Sequence, residues 1–548
     1  MNERRGDRGQ WEQVGQPYPP TSSFPPGNMP LPPRMSPSPP LPPQYRPPPG
    51  NIPPQQPYTN DLPYPRQGTA YNPPTTNGHV QPVQHIPQIP SIARTRQRTG
   101  QHGTGQLRAA FAPRVVLRYR DRVRNALCGI GAAACIGMAD VLMLPVVIVS
   151  AFVAQVGGGN NLVALIPVIS ALAWGIPGAI AGSIIANQPR VVPLVAGATG
   201  IWAVLVGMLV LLGATQVDGT ARGLLSVFFA LNTFAMVAGS VTLLATDRLP
   251  GRVTTPYERT TTVRGRAYGS AGAMVLAALI ARSVLAGDTA GSYLGLFAVA
   301  SVFLFGAAGL TLALVERTPR MAVVPRPPLL GLRAAPDLLR LPAYRRYLTF
   351  RAFALFAAVA EPFYIVYAVR ELRMTGAYVG SALLVLVLAR VVALVVSRIL
   401  IRATGTHLLL QLATLFRTLA ATAAIALPAV WDTNLFGSRF LADDARGGSF
   451  LIVFACLGAA LGMSAAGQGG FLLDILPPDA YPGGVAFTNG TLAVLSLALI
   501  AGGVIANRRD IPTLFAVAVA LGVLSMLVGG LLREPRLPRG FAPRKREG

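Results

Sequence analysis

Three charged residues stand where a chain can least tolerate them. Asp140 lies inside GMADVLMLPVVIVSAF, Glu361 inside AVAEPFYIVYAVREL, and Arg390 inside LVLARVVAL. A charge at the centre of a membrane helix costs about 2.5–3.5 kcal/mol on insertion scales. Ionisable residues at that depth pair with one another or handle ions and substrates. Asp140 and Glu361 therefore either carry the coupling charge of a transport cycle or pin two helices through a static ion pair. Arg390 offers a counter-charge for Glu361 or a seat for an anionic substrate, with helix pinning as its rival reading. Tyr364 follows Glu361 by one helical turn, on the same face. Asn232, Gln468 and Asn489 add polar groups in other apolar stretches. Arg417 reads as a structural donor to neighbouring carbonyls, and Arg282, near a helix end, as a snorkelling side chain.

The elements that hold these residues are long and apolar. The chain has 548 residues, of which 13% are charged, and its mean hydropathy is +0.47. Soluble domains carry about 25% charged residues. Stretches of about 20 apolar residues, enough to cross a hydrocarbon core as a helix, recur near 126–153, 161–186, 191–213, 222–246, 267–286, 291–315, 347–369, 377–401, 407–430, 450–473, 485–506 and 511–532. The expected fold is an all-α membrane protein of twelve transmembrane helices.

Outside the spans the composition changes. Residues 1–105 hold about half of the 49 prolines. Such a segment cannot bury enough apolar surface to offset chain entropy, so a disordered tail with polyproline II character is expected. Its opening, MNERRGDRGQ, does not read as a signal peptide. Pro42-Pro43-Gln44-Tyr45 matches a proline–tyrosine ligand pattern, a match that arises freely in this composition, and the partner of the tail is unknown. Segment 106–125 reads as basic and juxtamembrane, 316–346 as a basic central loop, and 533–548 as a basic tail.

The net charge of +25 is nearly all arginine, Lys545 being the only lysine. The arginines gather before the first span, after the fourth and sixth, at the exit of the eighth and after the twelfth. The opposite connections, such as VGGGNN, are nearly neutral. The positive-inside rule then puts both termini in the cytoplasm of a multi-pass protein of the cell (inner) membrane. Scattered over separate segments without a nucleic-acid motif, these arginines do not form a nucleic-acid interface; attraction to the lipid bilayer is a side effect. No cysteine or histidine spacing suggests a metal or a disulfide framework, no cofactor is implied, and no nucleophile–base set or phosphate loop suggests an enzyme.

The chain also repeats itself. LLATDRLP ends the fourth span and FLLDILPP the tenth, with Asp247 and Asp474 227 positions apart. RGRAYGSAG opens the fifth and GGVAFTNG the eleventh; Glu316 and Glu534, after the sixth and twelfth, are 218 apart. Asp140 and Glu361 are 221 apart, each about fifteen residues into its helix. A nearly constant offset indicates two six-span halves, 126–315 and 347–532, of common origin.

Six plus six spans in parallel halves, with a long basic connection, resembles the major facilitator superfamily. AYRRYLTFRAFALFAAVAEPFYIVYAVREL, VRGRAYG and LLDILPPDAYPGGVAFTN resemble an unassigned bacterial branch of it, over about 120–535. The departures are specific. The family's Gly-x-x-x-Asp-Arg-x-Gly loop reads GSIIANQPRVVP here, with Asn187 near the place of the acid, and its counterpart SRILIRATGTH has no acid. The fifth span also lacks the Gly-Pro motif of drug–proton antiporters.

The resemblance implies that spans one, four, seven and ten line a central cavity. Asp140 and Glu361 would then face one another, and repulsion and desolvation would raise at least one of their pKa values. Asn232, Tyr364, Gln468 and Asn489 become cavity polar candidates, and Asp247, Arg264, Arg266, Arg398, Arg402 and Asp474 cytoplasmic gate candidates. The implied activity is secondary transport of a small organic solute by alternating access, coupled to protons. The alternative is a non-transporting membrane anchor or sensor of the same fold whose tail recruits partners.

Overall fold

A hydrocarbon core offers backbone amides no water, so a spanning segment must satisfy them internally, which a helix does. In the computed structural model, which describes residues 118–532 apart from 216–220, 288, 317–329, 432–442 and 478–479, twelve helices are long and apolar enough to span a membrane. They are α1 (Tyr119–Gln155), α2 (Asn160–Gly182), α3 (Val192–Ala214), α4 (Gly223–Thr246), α5 (Tyr257–Leu285), α6 (Ala290–Leu312), α7 (Pro342–Arg370), α8 (Gly376–Thr404), α9 (Thr406–Trp431), α10 (Arg446–Ile475), α11 (Tyr481–Arg508) and α12 (Ile511–Gly530). The Pro-rich tail, the first part of the basic segment before α1 and the final basic stretch lie outside the described residues.

Helices α1, α5 and α7 begin 5–10 residues before the apolar runs predict. Arginine and alanine are good helix formers in water as well, so these helices run on beyond the hydrocarbon as basic turns, which a hydropathy scan does not register. Local chemistry fixes the starts. The Thr255 hydroxyl donates to Glu258 at 2.8 Å beside Pro256, and Asp510 accepts from the Thr513 amide at 2.7 Å to open α12. At the start of α3, Glu316 accepts from the Val191 and Val192 amides at 2.8–3.0 Å. Asn125 ties the basic ends of α1 and α6 together, donating to the Val253 and Val315 carbonyls at 2.9 Å and accepting from the Val315 amide.

Within the first half, α1 packs on α5 and α6, α3 on α4 and α6, and α2 on α4. In the second, α10 packs on α8 and α9, and α12 on α7 and α9. The halves meet along two seams, α2 with α11 and α5 with α8. A two-fold exchange of the halves turns one seam into the other, as two copies of a six-helix unit require. A helix at Leu330–Arg340 leads into α7 and packs on α11 and α2; its Leu338 is buried among Tyr344, Tyr347 and Leu476.

Small residues bring the backbones close at both seams. A Cβ on Gly175 of α2 would stand 2.6 Å from the Asn489 carbonyl oxygen of α11. One on Gly380 of α8 would stand 2.5 Å from Cα of Arg282 in α5.

Helices α1 and α7 each break near the middle. The α-helix of α1 stops at Leu142, and a π-turn runs over Pro145–Val149. Pro145 has no amide to donate, and the Ser150 hydroxyl reaches back to its carbonyl at 2.8 Å. In α7 a 3-10 turn at Ala358–Ala360 separates two α-helical segments. The capping amides there bond to Leu355 and Phe356, so the Ala354 carbonyl is left to accept from Arg417 at 3.0 Å.

We expect Gly380→Ala to lower stability by about 1–3 kcal/mol through overpacking at the seam. Gly272→Ala, where a Cβ meets nothing within 4 Å, should be neutral or gain up to about 1 kcal/mol from helix propensity. Thermal unfolding of the two purified variants in detergent compares them directly.

Candidate functional site

The charges of the interior decide where a site can form, because in low dielectric each must find a counter-charge or a ligand. Two ion pairs do this. Arg390 of α8 donates to Asp140 of α1 at 3.3 Å, linking the two halves. Arg417 of α9 donates through Nε to Glu361 of α7 at 2.6 Å, within the second half. The first pair is open to solvent or lipid, its side chains 21% and 35% exposed, whereas the second is enclosed at 15% and 9%. Asp140 and Glu361 do not converge in one pocket, and Arg390 answers Asp140 rather than Glu361. The two broken helices explain the difference. Asp140 precedes the break in α1, while Glu361 follows the break in α7, so residues at matching sequence positions look toward different neighbours.

A cavity of about 390 Å³ lies between the middle of the bundle and the end that carries the basic loops. Pockets that hold small organic ligands run from about 300 Å³ upward. Both halves line it. The first contributes Trp174 and Gly175 of α2, Ser240 of α4, and Asp247 just past the end of α4. The second contributes Arg351 of α7, Arg417 of α9, Gln468 of α10 and Asn489 of α11. Leu243, Leu244, Leu355 and Leu492 make the rest of the wall apolar. Gln468 and Asn489, two of the four polar candidates, line this cavity.

Asn232 and Tyr364 do not line the cavity. Asn232 is buried beside Met236, and its Oδ1 has no partner. Tyr364 is fully buried against Phe515, ring centroids 5.1 Å apart.

Arg351 is the residue the sequence did not single out. Five residues inside a span that opens with YRRYLTFR, it reads like one more arginine of the membrane edge. Its signal is positional: Ala354, Leu355 and Ala358, one and two turns on, share its face and line the same cavity. Its Nε is buried and makes no hydrogen bond. Arg417, expected to bond neighbouring carbonyls, does so through Ala354 and also carries the ion pair to Glu361.

The gate candidates scatter over the basic end. Asp247 is exposed to the cavity, yet the protein crowded around it pushes its carboxyl above the ordinary range, against the pull of Arg266 and Arg248. Arg398 crosses the α5–α8 seam, bonding the Tyr268 hydroxyl at 3.0 Å with its guanidinium 5.1 Å from the ring centroid. Asp474 accepts from Thr406 at 2.7 Å, tying α10 to the start of α9. Arg264 and Arg402 are exposed.

The opposite, neutral end carries contacts the sequence did not announce. Arg370, closing α7, donates to Asn160 at 3.0 Å and to the carbonyl of Gly158 in the α1–α2 connection. Asn507 of α11 donates to Asn161 at 2.9 Å, and Asn160 to the Ala506 carbonyl at 3.3 Å. VGGGNN, read only as a neutral loop, is therefore the first half's side of an inter-half lock.

No family model matches the chain, and no curated protein matches its sequence. Solved structures do match its fold. The nucleoside transporter NupG superposes with a TM-score of 0.54 at 13% identity, over 76% of this chain and 100% of that one. The xylose transporter XylE from E. coli, in a partially occluded inward-open conformation, gives 0.54 at 13% identity over 76% and 99%. A POT family peptide transporter gives 0.55 at 14% identity over 76% and 99%. At this identity the likeness is one of architecture, and it places the chain in the twelve-helix, two-half fold of the major facilitator type.

Glu361→Gln leaves Arg417 enclosed without its counter-charge and should cost about 3–5 kcal/mol. Replacing both partners, as Glu361→Leu with Arg417→Met, should recover most of that loss. Asp140→Asn, in the longer and more open pair, should cost no more than about 1 kcal/mol. Unfolding of the four proteins in detergent gives the ranking.

Proposed function

We propose that this chain is a secondary active transporter that moves a small organic solute across the cell membrane by alternating access, coupled to protons. Both termini lie in the cytoplasm in this reading, as the arginine-rich loops direct. The single observation that carries it is the asymmetry of the space between the halves. A cavity walled by both halves lies toward the basic end, while Arg370, Asn160, Asn161 and Asn507 lock the halves together at the other. A rocking bundle that has closed its outer side and holds its site toward the cytoplasm has this arrangement. Architectural likeness to sugar, nucleoside and peptide transporters supports the same reading.

Coupling belongs to the Asp140–Arg390 pair, because it alone of the two interior pairs joins the halves. An ion pair that exists in one state and not the other biases the equilibrium by its differential free energy. Protonating Asp140 removes the attraction and frees Arg390, so the proton and the rocking motion become linked. Glu361 fixes the Arg417 guanidinium at the cavity wall through their ion pair.

Access can be tested without a known solute. In a background lacking the native cysteines, Leu244→Cys, at a half-buried position of the cavity wall, should react with a membrane-impermeant thiol reagent from the cytoplasmic side and be protected from outside. Adding Arg370→Ala should loosen the outer lock and raise outside labelling several-fold. Labelling that is the same from both sides, and unchanged by Arg370→Ala, would leave the fold a static anchor.

Coupling is read in proteoliposomes once a solute is in hand. Asp140→Asn should abolish pH-driven accumulation and keep solute exchange; accumulation at the wild-type rate would remove Asp140 from the mechanism.

A further inference from the structure

Within the transporter reading, on which this step rests, the charges of the cavity identify the solute. Of the two arginines that line the cavity, one has an ion pair among the described residues and the other has none. Glu361 answers Arg417. Asp247, at the cavity's edge, has Arg266 and Arg248 beside it. Arg351 has no ion pair among the described residues; its charged neighbour is Arg417, of like sign, with the phenol of Tyr347 nearby. Its Nε is shut away from solvent and bonded to nothing. Holding a guanidinium in the interior without a counter-charge costs free energy, and a carboxylate in the cavity that Arg351 lines would supply one.

We infer that the transported solute is a small organic acid whose carboxylate is held by Arg351. A guanidinium presents a planar fork that fits a carboxylate in two parallel hydrogen bonds. Arg417 stands across the same space with Nε and Nη1 committed to Glu361 and Ala354, so it adds positive potential without needing a second anion. One unmatched cation calls for one carboxylate. The remaining wall describes the rest of the solute. Trp174, Leu243, Leu244, Leu355 and Leu492 suit an apolar or aromatic body, and Gln468 and Asn489 offer amides to a further hydroxyl or carbonyl. A volume of about 390 Å³ admits a body the size of an aromatic acid.

The test uses the purified full-length protein in detergent and matched probes: benzoate with benzamide, indole-3-acetate with its amide, and glycerol 3-phosphate as a phosphate. Binding is read by thermal stabilisation and by the fluorescence of Trp174 in the cavity wall, after the other tryptophans are changed to phenylalanine. At least one acid should bind, with its neutral amide about 30-fold weaker or worse, because the amide leaves the cation unmatched. Arg351→Gln should weaken the acid by a similar factor and leave the amide unchanged. Arg351→Lys, which keeps the charge and loses the fork, should fall between.

Should Arg351→Gln fail to fold, the acid-against-amide comparison on the unaltered protein decides the question alone. Amides binding as tightly as acids, glycerol 3-phosphate outcompeting every carboxylate, or no probe binding at 10 mM would each overturn the assignment. Because binding is read without a membrane, its outcome is separate from the Leu244→Cys accessibility test. Acid binding with side-independent labelling would keep the site and remove transport.

Discussion

The hydrocarbon interior gives a polar group nothing to bond except protein, and the architecture follows from that constraint. It forces the backbone into twelve helices. It pairs Asp140 with Arg390 and Glu361 with Arg417. It sends the Arg417 guanidinium to the Ala354 carbonyl that the 3-10 turn in α7 sets free. Several buried polar atoms stay without a hydrogen bond, among them Oδ1 of Asn232 and Nε of Arg351, and of these two residues Arg351 lines the cavity.

The same constraint shapes the contact between the halves. Apolar side chains gain little by packing together in lipid, so helix association there rests on close van der Waals fit. Gly175 and Gly380 supply it on opposite seams, where α2 meets α11 and α8 meets α5. Seams of backbone on backbone, with few polar cross-links, can act as pivots. The polar cross-links gather toward the ends of the bundle: Arg398 on Tyr268 at the basic end of the α5–α8 seam, and the Arg370 and Asn507 contacts at the neutral end, the latter on the α2–α11 seam.

Much of the fold was legible because apolar runs have a length scale fixed by the bilayer. All twelve spans could be read that way and the two halves from the repeat offset, and solved transporters share the architecture; the expected loop 316–346 instead holds a helix at Leu330–Arg340 and the start of α7. The site was legible only in part. Gln468 and Asn489 stand out as polar residues in apolar helices and do line the cavity. Asn232 and Tyr364 stand out equally and are buried in packing instead. Arg351 hid among the arginines of a basic helix start, and Arg370 at a helix end where a charge attracts no notice.

By itself, then, the sequence determined which segments leave water, how many there are, and that a six-helix unit occurs twice, because hydropathy and offset are properties of residues taken in order. Which acid meets which arginine was decided only by the tertiary structure. Asp140 and Glu361 hold equivalent positions along the chain, yet the breaks at Pro145–Val149 and Ala358–Ala360 fall on opposite sides of them. A shift of a few residues in a helical break rotates a side chain onto a different neighbour, and no one-dimensional pattern records that rotation.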